Sequence, residues 1–212
     1  MVKAILFDLD GTLADTLQAL ANNVNAVLAE AGLPVHPLEA YRRFVGNGAK
    51  LLMERAAGYH DDILLARFLE RYDRTCLEDT PPYDGTIETL DRLIGQGIRL
   101  AVVTNKPHAQ AVKLTRHLFG DRFNVILGSQ PGYPRKPHPE AVLLAMQTLG
   151  VTAQECVFVG DSDVDVQTAH AAGMPCIGCC YGFRGEEELK KAGADALVYS
   201  FAELAKNRLL FA

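Results

Sequence analysis

The chain has 212 residues, of which 49% are hydrophobic and 22% charged, with a net charge of −5. That composition excludes a disordered chain and suits one sizeable domain or two small ones, while a negative balance without any run of Lys and Arg argues against an extended nucleic-acid or anionic-membrane surface. No apolar stretch approaches a membrane span or the core of a secretory leader, so a cytoplasmic protein is expected, and five cysteines, an odd number, read as reduced thiols.

The first apolar run, VKAILF (2–7), predicts a strand. The next stretch, 16–82, reads only as helix: TLQALANNVNAVLAEAG, then PLEAYRRFVGNGAKLLMERAAG, then DDILLARFLERYDRTCLED. Apolar residues recur there at a spacing near 3.6, Gly32 and Gly58 look like helix stops, and Pro37 looks like a helix start. TPPYDG (80–85) reads as the linker returning to the main body. After it, strands and helices alternate. Strands are expected at 98–103, 123–128, 155–160, 175–180 and 195–199, and helices at 86–96, 108–119, 139–150 and 165–173. Continuous apolar strands separated by helices of crossover length predict an α/β fold, a parallel sheet covered on both faces. The expected division is an α/β core, 1–15 and 83–212, with a helical cap, 16–82, inserted after the first strand. Cys176, Cys179 and Cys180 in PCIGCC read as a buried strand of small residues, since no second Cys/His cluster accompanies them.

In an open parallel sheet, ligands bind beyond the carboxyl ends of the strands. The first strand ends in Asp8 and Asp10, the second in Thr104 and Asn105, and the fourth in Asp161, Ser162, Asp163 and Asp165, while the loop PRKPHPE carries Lys136. An isolated Asp after a strand is usually a helix cap or turn residue. Their co-occurrence at several strand ends points instead to one site. Clustered carboxylates repel and raise one another's pKa unless a divalent cation lies among them, and an all-oxygen set suits Mg2+. Asp8 is the candidate nucleophile, and Asp10 the acid and base once Gly11 bends the chain. Thr104 and the main-chain amides near Gly11 and Asn105 can donate to phosphate oxygens, and Lys136 can neutralise phosphate and nucleophile together.

With DLDGTLADT, TN, KPHP and GDSDVD in this order, the chain resembles the haloacid dehalogenase superfamily of phosphotransferases over essentially its whole length. The first and last of these stretches are the specific ones. The resemblance implies a Rossmann-like core with an inserted helical cap, dependence on Mg2+, and hydrolysis through an aspartyl-phosphate. On that pattern Asp8 attacks phosphorus, and Asp10 protonates the leaving oxygen and then activates water. Asp8, Asp161 and the main-chain carbonyl of Asp10 would bind Mg2+. Thr104 and Lys136, with Gly11, Thr12 and Asn105 beside them, would hold the phosphoryl group, and Ser162 and Asp165 would orient Lys136 or a metal-bound water. Thr16 and the TPPYDG return would be hinges for a closing cap.

An acidic residue at position 10 separates the chain from the dehalogenases and argues for phosphate esters as substrates. Within the superfamily it most resembles the bacterial phosphoglycolate phosphatases, through FVGNGAKLLMERA, NKP and AAGMPCIGCCYGF. That resemblance implies 2-phosphoglycolate as substrate, with Arg42, Arg43 and Asn47 near the GNG turn as candidate contacts to its carboxylate. The expected partner is a small phosphorylated metabolite, with no nucleic acid and no membrane, and the expected state is a monomer or homodimer. A phosphomutase or pyrophosphatase of the same superfamily, and a binding module that lost the chemistry, are the alternatives.

Overall fold

The computed structural model describes residues 2–211. In chain order, β1 (Ala4–Phe7) is followed by four helices, α1 (Leu17–Glu30), α2 (Leu38–Phe44), α3 (Ala49–Ala57) and α4 (Asp62–Thr75), and then α5 (Thr86–Gly95) leads into β2 (Arg99–Pro107). Helix and strand alternate from there: α6 (His108–Phe119), β3 (Val125–Ser129), α7 (Glu140–Leu149), β4 (Cys156–Gly160), α8 (Asp163–Ala171), β5 (Cys176–Cys179), α9 (Glu186–Ala192), β6 (Ala196–Val198) and a terminal turn of helix, α10 (Arg208–Phe211). The six strands form one parallel, Rossmann-like sheet in the order β3-β2-β1-β4-β5-β6.

Strand β1 shows why the apolar runs are continuous. Ile5 and Phe7 pack with Leu100, Val102, Val157 and Val159 on one face of the sheet, under α5 and α6. Ala4 and Leu6 pack with Ala101, Val103, Cys156 and Phe158 on the other, under α7 and α8. Both faces are buried, so no position of the strand is left for a polar side chain. The register pairs Phe7 with Val102 on one side and with Val159 on the other. Asp8 therefore leaves the sheet between the ends of β2 and β4, where Thr104 and Asp161 also emerge.

Helices α1 to α4 bury a separate apolar cluster built on Leu20, Val24, Leu28, Tyr41, Leu52 and Phe68, joined from the core by Phe183. The chain enters and leaves this helical unit through two segments that pair with each other. Ala14 and Pro82 form an antiparallel bridge, the Asp15 amide donates to the Pro81 carbonyl (2.9 Å), and the Tyr83 amide donates to the Leu13 carbonyl (3.2 Å).

The GNG turn divides 37–58 into two helices, because Gly46 (φ +111°) and Gly48 (φ +89°) adopt a backbone conformation that a right-handed helix cannot continue. Two local features differ from the sequence expectation. Strand β2 runs on to Pro107, four residues past the expected end, with a shift of register between Val103 and Pro107. Helix α9 was not anticipated, although Glu186, Glu187 and Glu188 in its first turn and Lys190 and Lys191 in its last complement the helix dipole. All five cysteines are free thiols, and Cys176 and Cys179 lie buried in β5. Among the described residues no helix is long and apolar enough to cross a membrane.

Candidate active site

After Asp8 the chain folds into a tight turn, in which the Leu13 amide donates to the Leu9 carbonyl (3.0 Å) and Gly11 takes φ +86°. The turn presses against Asp161. The Thr12 hydroxyl donates to Asp161 Oδ1 (3.1 Å), the Phe183 amide donates to Asp161 Oδ2 (2.8 Å), and a Cβ added to Gly11 would stand 2.4 Å from Oδ2. Only glycine meets both the backbone and the space requirement at position 11.

Asp165 is anchored by the start of α8. Its Oδ2 accepts from the amides of Asp161 (3.2 Å) and Ser162 (3.1 Å) and from the Ser162 hydroxyl (2.7 Å), a capping box that also fixes the chain direction at Asp161. Its Oδ1 accepts from Lys136 Nζ at 2.7 Å, and the same ammonium lies 3.0 Å from Asp8 Oδ1. Lys136 is placed by Asn105, whose Oδ1 accepts from the Lys136 amide (2.9 Å) and whose Nδ2 donates to the carbonyls of Lys136 (3.0 Å) and Gly46 (3.1 Å). One amide side chain thus ties the end of β2, the Lys136 loop and the helical unit together. Thr104 is buried beside it with its hydroxyl toward the Lys106 amide (3.3 Å).

The electrostatics follow from burial. Desolvation pushes the Asp8 carboxyl up from 3.8 to about 6, against the pull of Lys136 and with the help of Asp165 and Asp10. Burial, with Asp165 and Asp8 nearby, drives Asp161 well above the ordinary carboxylate range. Burial alone would lower Lys136, but Asp165 and Asp8 outweigh it and hold the ammonium charged.

These groups fit a hard divalent cation. Oxygens of Asp8, Asp161 and Asp165 lie within 4.8 Å of one another. Asp8 Oδ1, although near Lys136, is buried without a hydrogen-bond donor aligned to it, an orphaned acceptor of the kind that needs an explanation. The acceptor positions of Asp165 are taken by Lys136, Ser162 and the Asp161 amide, which leaves Asp8 and Asp161 as the carboxylates with acceptor positions open to a cation, an all-oxygen donor set.

Above Asp8, a cavity of about 40 Å3 opens between core and helical unit. The core lines it with Asp8, Asp10, Thr104, Asn105 and Lys106, while Leu20, Val45, Leu52, Phe68 and Tyr72 close it from the other side with the main chain of Gly46 and Gly48. Every site residue expected from the strand ends and the Lys136 loop gathers here or directly behind: Asp8, Asp10, Gly11, Thr12, Thr104, Asn105, Lys136, Asp161, Ser162 and Asp165. Arg42, Arg43 and Asn47 do not line the cavity. Arg42 pairs with Glu39 (3.0 Å) and donates to the Gly182 carbonyl (3.4 Å), beside Arg43 in a surface groove, and Asn47 accepts from Arg55 (2.8 Å). Arg184 donates to the Val45 carbonyl (2.9 Å) and helps seat α2 on the core. Lys106 and Tyr72 are cavity residues that the sequence reading did not single out.

Residues 5–179 match the family model for haloacid dehalogenase-like hydrolases. The chain belongs to that family. This hydrolase is 42% identical over 192 residues to a phosphoglycolate phosphatase of Pseudomonas putida, a match covering 85% of this chain and 70% of the relative. It is 35% identical over 212 residues to a phosphoglycolate phosphatase of Yersinia pseudotuberculosis, covering 96% and 91% respectively. Among solved structures it superposes on a protein of Haemophilus somnus described as a predicted phosphoglycolate phosphatase, with a TM-score of 0.90, 31% identity and 97% of each chain covered. It also superposes on CbbY of Rhodobacter sphaeroides in complex with phosphate, with a TM-score of 0.81, 31% identity and 96% of each chain covered. This member of the family is a phosphatase, a phosphoric monoester hydrolase.

Proposed function

We propose that this phosphatase is Mg2+-dependent and hydrolyses 2-phosphoglycolate through an aspartyl-phosphate on Asp8. The observation that carries the reading is the buried Asp8 carboxylate, set between Lys136 and Asp161 at the floor of the cavity between core and helical unit. Relatives bearing the name phosphoglycolate phosphatase support a small ester, 2-phosphoglycolate, as the substrate.

In the first step a carboxylate oxygen of Asp8 bonds to phosphorus as the ester P–O bond breaks, and Asp10 gives its proton to the departing alkoxide oxygen. In the second, Asp10 takes a proton from water, whose oxygen bonds to phosphorus as the bond to Asp8 breaks. Ester and water become alcohol and phosphate, and both carboxyl groups return to their starting states. Asp8, Asp161 and the main-chain carbonyl of Asp10 would hold Mg2+, which would supply charge neutralisation for the phosphoryl oxygens. Thr104 and Lys136 hold those oxygens, Asp165 and Ser162 keep Lys136 in place, and the helical unit excludes water while Asp10 donates. In this reading 16–82 is the mobile cap, 1–15 and 83–212 the core, and the paired segments around Ala14 and Pro82 the hinge. The protein works in the cytoplasm.

The test is phosphate release from a panel of small phosphate esters with and without Mg2+. The expected result is Mg2+-dependent turnover with 2-phosphoglycolate preferred, abolished by Asp8→Asn. Metal-independent turnover, or a better substrate in the panel, refutes the corresponding part.

A further inference from the structure

Lys106 is the only cationic side chain lining the cavity among the described residues. It is 4% exposed, at the end of β2, with Nζ 2.8 Å from Asp10 Oδ1, 2.6 Å from the Tyr72 hydroxyl and 4.7 Å from the centroid of the Tyr72 ring. A buried ammonium is costly unless it is paired, and it carries three N–H donors. Two have partners here, one on the core and one on α4 of the cap. The third has none among the described residues.

We propose that Lys106 reads the leaving group: its remaining N–H receives a carboxylate attached one carbon from the ester oxygen, so that the site selects phosphate esters of small hydroxy acids. The proposal rests on the phosphatase reading above and assigns its specificity to one side chain. An ester oxygen accepting the Asp10 proton comes within about 2.7 Å of that carboxyl group. Lys106 Nζ flanks the same group at 2.8 Å. Where the ester oxygen meets the same Asp10 oxygen, Oδ1, the two stand at most about 5.5 Å apart, the sum of two hydrogen-bond lengths. In a 2-hydroxy-acid phosphate a carboxylate oxygen lies three bonds from the ester oxygen, about 3 to 3.6 Å, and one hydrogen bond of about 2.8 Å closes the remaining distance. A carboxylate several carbons further out overshoots the ammonium.

The surroundings favour this assignment. Leu20, Leu52 and Phe68 give the cavity wall no competing charge, and Arg42, the alternative cation, is already paired with Glu39. Tyr72 reaches Lys106 from the cap, so the ammonium is fixed only while the cap is seated on the core. Selection and closure then occur together.

The decisive measurement is kcat/KM for 2-phosphoglycolate and for ethyl phosphate, which share the reacting atoms and differ in the carboxylate. Because both esters use Asp8 and Asp10, a general loss of chemistry in a variant cancels from the ratio. Lys106→Met should lower the ratio about tenfold to a hundredfold, the effect of one charge-assisted hydrogen bond, and Lys106→Arg should restore most of it. An unchanged ratio in folded Lys106→Met overturns the proposal while leaving the phosphatase reading intact. A wild type that turns over both esters equally removes the substrate reading itself, and the Lys106 assignment with it. Should Lys106→Met not fold, inhibition of the wild type by 3-phosphonopropionate and by propylphosphonate decides. At least tenfold tighter binding of the carboxylate-bearing analogue is expected, and equal binding overturns the proposal.

Discussion

Replacing Asn105 with Ala removes three hydrogen bonds at once, those to the Lys136 amide, the Lys136 carbonyl and the Gly46 carbonyl. At a net contribution of about 1 kcal/mol each, with all four groups largely shielded from water, the loss comes to about 3 kcal/mol. For a chain of this size that corresponds to a fall in melting temperature of about 6–12 °C. Turnover should suffer separately. Lys136 Nζ is held 3.0 Å from Asp8 and 2.7 Å from Asp165 by a loop whose main chain Asn105 fixes, and a displacement of about 1 Å near reacting groups costs roughly a hundredfold. The fall should appear chiefly in kcat. Asn105→Asp is the companion variant: it keeps an acceptor for the Lys136 amide but turns an oxygen toward two carbonyls, so it should be at least as unstable as Ala. Differential scanning calorimetry and steady-state kinetics on both variants are sufficient. A melting temperature within about 2 °C of wild type for Asn105→Ala would refute the three-way tie.

Two further outcomes are expected. Burial holds the Asp8 carboxyl at about 6 instead of 3.8, so the metal-free folded protein keeps a proton that the unfolded chain releases between those values. Relative to Asp8→Asn, the metal-free wild type should lose stability as pH rises from about 4 to about 6 and then level off. Mg2+ at about a hundred times its Kd should remove that slope and raise the melting temperature by about 5–10 °C; a rising profile in chelator, relative to the variant, would contradict the assigned burial effect. Gly11→Ala forces a left-handed backbone at about 1–2 kcal/mol and drives a Cβ to 2.4 Å from Asp161 Oδ2. Calorimetric titration should show Mg2+ affinity weakened by about tenfold or more, and unchanged affinity would mean that Asp161 is not a ligand.

The parallel sheet was legible because β1, β2 and β4 are buried on both faces and so read as unbroken apolar runs. Asp8, Thr104 and Asp161 were legible for the same reason, as the first polar groups past those runs. Lys106 was not, because a lysine in TNKP reads as the start of a solvated loop. The strand in fact continues to Pro107, and the two-residue period that relates Thr104 to Lys106 was the available signal. Tyr72 reads as one more core aromatic of an amphipathic helix, which it also is, stacked on Phe68. The placement of Arg42 and Arg43 depends on how α2 is rotated against the core. That rotation is fixed by contacts such as Arg184 to Val45, distant in sequence and carrying no local pattern.

The bridge between Ala14 and Pro82 also bears on how such a chain assembles. Ala4 must find Arg99, its neighbour across the sheet, with the whole helical excursion between them. Closing a flexible loop of that length is entropically unfavourable, though only logarithmically so. A helical unit that condenses on its own apolar cluster and pinches its two ends side by side shortens the effective loop to the segments 8–14 and 82–98, which include α5. Lengthening or exchanging the helices beyond the pinch then leaves the pairing of the first two strands undisturbed, a route by which one sheet can carry many different lids.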